Sequence, residues 1–131
     1  MRTGATFRLT SDHSGSAAAV TRFLDLEPSQ AFEAGDQVGG RSSATRRGSL
    51  WLLSSKLPPS SEVTDHLHWL LDQLEPKADA LWQLTDRGYV ADWFCLAASQ
   101  ATEHAIELDR LLLRRLLALP GDLLLDVTGD D

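Results

Sequence analysis

The stretch A-T-F-R-L-T, residues 5 to 10, decides the fold. Ala5, Phe7 and Leu9 alternate with Thr6, Arg8 and Thr10. Successive side chains of a strand point to opposite faces, so this period of two predicts a strand with one face buried and the other open. Such a strand needs a second layer over its apolar face, and the rest of the chain supplies candidates for it.

Four helical stretches fit that role. Asp12, His13, Ser14, Gly15 and Ser16 form a capping cluster, and from Ala17 apolar residues recur at Val20, Phe23 and Leu24. Pro28 closes that helix. Ser60 or Ser61 opens the next one, whose stripe is Val63, Leu67, Leu70, Leu71 and Leu74. Pro76 ends or kinks it, and a shorter helix from Lys77 to about Thr85 turns Leu81 and Trp82 inward. Residues Ile106 to Leu119 read as a Leu-rich helix broken by Pro120 and Gly121.

Further strands lie between the helices. Leu50 to Leu53, L-W-L-L, is a short apolar strand. Tyr89 to Leu96 is rich in aromatic and β-forming residues. Its facing is ambiguous: Tyr89, Ala91, Trp93 and Cys95 make one face, and Val90, Asp92, Phe94 and Leu96 the other. In the last strand, Leu123, Leu125 and Val127 oppose Leu124, Asp126 and Thr128. This order predicts a two-layer α+β fold. It has about four strands in a mixed or antiparallel sheet, and three to four helices packed mainly on one face. Residues 27 to 49 carry Gly35, Gly39, Gly40 and Gly48 with no surviving period. They read as a long loop, either a mobile connector or a functional segment.

The composition bounds the class. The 131 residues, 43% hydrophobic and 24% charged, suit one globular domain over residues 1–131. The net charge of -7 repels phosphate backbones, so nucleic-acid binding is disfavoured. No apolar run approaches a signal peptide or a membrane span. With one cysteine, Cys95, no internal disulfide can form, and the expected compartment is the cytoplasm.

Chemical motifs are sparse. His66 and His68 are two apart on a helix, so their side chains diverge by about 200° and read as solvated. No metal motif, phosphate loop or nucleophile elbow is present, so no metal site, cofactor or catalytic residue is assigned. Cys95 reads as a small core hydrophobe. Arg41, Arg46 and Arg47 cluster near Trp51 and could receive a carboxylate or phosphate. Asp92 and Asp126 interrupt strands and, with Arg8, would form a polar group on one sheet face.

These residues and their spacing resemble a bacterial domain-of-unknown-function family, numbered 4279. The resemblance rests on motifs along the whole chain. They are F-x-L at Phe7 and Leu9, and L-x-L-x-P-S from Leu24 to Ser29 with Gly35 and Asp36 after it. They continue with the Trp51 strand after a basic loop and L-x-x-L-L-x-x-L-x-P from Leu67 to Pro76. A-I-E-L-D before the last helix and L-L-L-D-V at the end complete the set. The chain departs from the family pattern in its loop, where Gly39, Gly40, Arg41, Ser42 and Ser43 look stretched. The resemblance implies a compact bacterial α+β domain without an assigned activity, and it carries over no catalytic residue.

The expectation is therefore a non-enzymatic binding or protein-interaction domain, one version being an immunity-like protein that masks a toxin. Its surface would be the sheet face bearing Arg8, Trp51 and Asp126 together with the Arg41 to Arg47 loop. One alternative is a small enzyme or ligand-binding domain using Arg8, Asp92 and Asp126. Another is a self-associating homodimer without a ligand.

Overall fold

The computed structural model describes residues 2–39, 44–99 and 105–129. The chain runs β1 (Arg2–Thr10), α1 (Ala17–Leu24), β2 (Gln30–Phe32), β3 (Leu50–Ser54) and α2 (Val63–Leu74). A single 3₁₀ turn (Glu75–Lys77) follows, then α3 (Ala78–Asp86), β4 (Val90–Ser99), α4 (Arg110–Leu117) and β5 (Asp122–Gly129). The strands form one five-stranded mixed sheet in the order β2-β3-β1-β4-β5. β1 sits at its centre, antiparallel to β3 and β4, while β4 and β5 are parallel.

The alternation of β1 carries through. Ala5, Phe7 and Leu9 are buried, while Thr6, Arg8 and Thr10 are partly exposed. Register aligns the buried set with Trp51 and Leu53 on β3 and with Ala91, Trp93 and Cys95 on β4. That settles the facing of β4: Asp92, Phe94 and Leu96 stand on the opposite face. Phe7 packs edge-on between two indoles, 4.8 Å from Trp93 and 6.5 Å from Trp51 between ring centroids. Aromatic pairs favour such tilted geometry. All four α-helices send buried residues into this one cluster, among them Val20, Leu67, Leu70, Leu81 and Leu112.

Helix ends follow local chemistry. Ser16 caps α1 by accepting from the Ala19 N–H, and Asp25 ends it in the left-handed region at φ 51°. The helix thus stops before Pro28 is reached. The Leu-rich helix is shorter than the predicted Ile106–Leu119 because Asp109 caps it, accepting from the Leu112 N–H at 2.8 Å. Residues 105–109 precede it as coil. Trp82 is not inward as expected. It is exposed on α3 and donates its indole N–H to the Ala118 carbonyl at 2.9 Å, joining α3 to the end of α4.

The sheet has a fifth strand because residues 27–49 are not a plain loop. Gln30–Phe32 pairs with β3 as β2, and an isolated bridge joins Gln37 to Thr45. The segment is also tied to α1. The Glu33 carboxylate accepts from the Ala17 and Ala18 N–H groups at 2.7 and 3.0 Å and from the Ser16 hydroxyl at 3.1 Å. Burial pushes this carboxyl up, but those donors outweigh it and hold Glu33 below the usual carboxylate range. At the far end of the segment, Gly48 lies against β1. A Cβ there would stand 1.7 Å from the Ser11 carbonyl oxygen, so only glycine fits.

His66 is another correction. It is buried, not solvated on a helix face. Its Nδ1 lies 2.8 Å from Ser55 Oγ and its Nε2 3.0 Å from Thr3 Oγ1. The Thr3 hydroxyl proton is directed at the Pro59 and Ser61 carbonyls, so the Thr3 oxygen accepts from His66 Nε2–H. Burial lowers the His66 pKa, with the nearby Asp65 charge opposing.

Two outcomes test this packing. Gly48→Ala is expected to cost about 1–3 kcal/mol in urea unfolding through the forced shift of β1 or β3. A depressed histidine pKa means that the unfolded chain binds the extra proton. Stability is therefore full above the ordinary histidine pKa and falls as pH drops below it towards the folded value. Wild type should lose stability between pH 7 and pH 5 with a slope no steeper than about 1.4 kcal/mol per unit. His66→Gln should flatten that slope.

Candidate functional site

Because the helices cover one face, the even-numbered residues of β1 and their neighbours make an open face. Register lays them out in rows across the strands. One row runs Gln30, Leu52, Arg8, Asp92 and Asp122. Beside it lie Ser54, Thr6, Phe94 and Leu124 on one side, and Phe32, Leu50, Thr10 and Val90 on the other. A depression of about 450 Å³ lies in the middle, lined by Thr6, Arg8, Thr10, Leu50, Leu52, Asp92 and Phe94.

Arg8 is its chemical centre. The guanidinium donates to both Asp92 oxygens, Nε to Oδ1 at 2.6 Å and Nη2 to Oδ2 at 2.9 Å. It also lies 4.9 Å from the centroid of the Phe94 ring. The hydrogen bonds that Arg8 donates to Asp92 raise the Arg8 pKa further, against the effect of burial. The two parallel hydrogen bonds fix the geometry of the pair. Its side chains keep 32% and 33% of their accessible surface, so it is screened and its worth to stability is small, up to about 1 kcal/mol. Around it the surface is apolar: Leu50, Leu52 and Phe94 border the pair, and Leu124 extends the strip onto β5.

The expected site residues separate. Arg8 and Asp92 meet. Trp51 does not join them: it alternates to the helix side, is fully buried and donates its indole N–H to Thr21 Oγ1 at 3.0 Å. Asp126 shares the open face but stands opposite Leu96, four residues along β4 from Asp92, a distance of roughly 13 Å at 3.3 Å per residue. It makes no pair with Arg8, so the three-residue polar group does not form. Arg46 stacks over Phe32 at 4.0 Å from the ring centroid, at the β2 margin of the face, and its Nε is buried without a hydrogen-bond partner. Arg47 is exposed on the same segment. Arg41, with Gly40, Ser42 and Ser43, lies outside the described residues.

Phe32, Leu50, Leu52 and Phe94 are the site residues that sequence reasoning passed over. The signal was present in the L-W-L-L run, but neither it nor the Tyr89–Leu96 stretch marks which face is covered.

Other polar groups are structural. Arg115 joins α4 to α2: it donates to both Glu75 oxygens at 2.9 and 2.7 Å, to Asp72 at 2.7 Å and to His68 Nδ1 at 2.6 Å. The hydrogen bonds from Arg115 hold Glu75 below the ordinary carboxylate range. Cys95 is buried in the core, and burial pushes its thiol up to about 12, so it is not a reactive thiolate. A larger depression, about 560 Å³, lies between α2 and residues 105–109, with Glu62, Asp65, Glu107 and Asp109 around it. Among the described residues, no group of three or more His, Cys, Asp or Glu is arranged to hold a metal ion. Among them, too, no helix is long and apolar enough to cross a membrane.

The fold and this face define a class: a one-sided α+β sheet domain with an amphipathic open face. Within it, the chain belongs to the DUF4279 family, described as a domain of unknown function, whose model matches residues 1–130. No curated protein and no solved structure matches it.

Arg8→Met should lower stability by no more than about 1 kcal/mol in thermal unfolding, because the pair is partly exposed and screened by solvent. A loss several times larger would mean that the pair is far drier than its exposure indicates.

Proposed function

We propose that this chain is a non-enzymatic protein-interaction domain whose binding surface is the open sheet face. The observation that carries the reading is the make-up of that face: an apolar floor of Leu50, Leu52 and Phe94 crossed by a fixed Arg8–Asp92 pair. A contiguous apolar surface on an open face is typical of interaction sites, and an arginine held bidentately against an aromatic ring is a preorganised anchor within it. Arg46 on Phe32 extends the same chemistry towards β2.

The partner in this reading is a protein with a net positive, partly apolar surface. The net charge of -7 would steer such a partner in and disfavour a phosphate backbone. An immunity-like protein that masks a basic toxin is one version. The compartment is the bacterial cytoplasm, which suits a lone buried thiol. A second reading, a small-ligand site or enzyme, rests on the same depression. There an anionic ligand would have to displace Asp92 from Arg8, and Asp126 would lie too far along the sheet to assist.

Affinity capture from native lysate at physiological salt tests the proposal, with wild type and Leu52→Arg as parallel baits. The expected result is a protein retained by wild type and lost at least tenfold by the variant, with the variant still folded by circular dichroism. Equal retention by both baits, or retention by neither, would remove the open face as a protein-binding surface.

A further inference from the structure

We infer that β5 pairs antiparallel with β5 of a second copy about a two-fold axis at Leu125, joining two five-stranded sheets into one continuous sheet. This surface is the sheet edge, not the open face, so it stands or falls separately from the proposed function.

The first observation is where apolar exposure falls. Most of the large hydrophobic residues left exposed lie on α4 and β5: Leu111, Leu113, Leu117, Leu123, Leu124, Leu125 and Val127. Every residue of β5 is exposed, including those on the helix side of the sheet. Leu123 and Leu125 keep 37% and 39% of their surface, and Val127 keeps 64%. Their register partners Trp93, Cys95 and Ala97 are buried. α4 packs on α2, and β5 stays exposed along its whole length. A long, uncovered, apolar edge strand offers a row of unpaired backbone groups to another strand. The opposite edge does not: β2 spans only Gln30–Phe32.

The second observation selects the occupant. A two-fold axis normal to the sheet keeps each face on its own side, so only residues of one face can stand opposite each other. The registers that keep most of β5 paired are those centred on Leu125 and on Asp126. Centring on Asp126 sets that carboxylate against its own copy, which is destabilising. Centring on Leu125 sets Leu125 against itself, Leu123 against Val127, Leu124 against Asp126 and Asp122 against Thr128. The helix-side face becomes a continuous Leu/Val seam, and no two aspartates stand directly opposite. The sequence D-L-L-L-D-V-T-G is thus self-complementary in one register. Asp126 remains diagonal to its copy, roughly 7 Å away, so salt should tighten the pair by screening.

Sedimentation of the full chain at tens of micromolar tests the inference. Wild type should run at twice the 14.4 kDa chain mass, and more completely at high salt. Leu125→Lys should run as a folded monomer, because the axis places two ammonium groups together, whereas Val90→Lys, on an exposed site of β4, should remain a dimer. Asp126→Asn should tighten association several-fold. Leu125→Cys should oxidise to a covalent dimer, since opposed residues of antiparallel strands lie within disulfide reach, and Leu124→Cys should not. A monomeric wild type, a dimeric Leu125→Lys, or preferential cross-linking at position 124 would each overturn it.

Discussion

Everything in this molecule depends on the burial of Phe7 between two indoles. Phe7 lies at the middle of the central strand, with Trp93 and Trp51 across the neighbouring strands. That contact commits the odd-numbered face of β1 to the core and the even-numbered face to solvent. Side chains of a strand alternate strictly, so one buried ring fixes Arg8 on the outside, and the antiparallel register then brings Asp92 beside it. The ion pair is a consequence of core packing one residue away on each strand, and no separate constraint is needed to assemble it.

The helical layer follows from the same commitment. Four amphipathic helices supply one set of leucines to one face, and none is left over for the other. Specific polar contacts hold the layer together, Trp82 to the end of α4 and Arg115 to the end of α2, and tie it to the sheet through Trp51 of β3 and Thr21 of α1. Each joins elements distant in sequence, which makes the one-sided arrangement a single packed unit. The layer stops short of β5, and the apolar residues of that strand are left on the surface.

How much of this was legible in the sequence varies with the element. The half-buried β1 could be read directly, since A-T-F-R-L-T alternates without exception. The stripe of α2 was equally plain. The orientation of Trp51 was not, because L-W-L-L is apolar on both faces and only pairing with Leu9 assigns the indole to the core. β2 left no trace, since Gln30–Phe32 is too short for a period and forms a strand only because β3 offers an edge. His66 looked like a solvated helix residue because its partners, Thr3 and Ser55, come from two other parts of the chain. Of the candidate site, the residue types Arg8 and Asp92 were legible and their meeting was a matter of register. Asp126 fell away because strand order places it beside Leu96.

The central claim is that the sheet is covered on one face only. Solvent paramagnetic relaxation of leucine methyl groups tests it most directly. The account predicts strong relaxation at Leu50 and Leu52 and protection at Leu53 on the same strand and at Leu9 on the adjacent β1. Equal protection of the two sets would contradict it, because a second layer would then have to lie over Arg8 and Asp92.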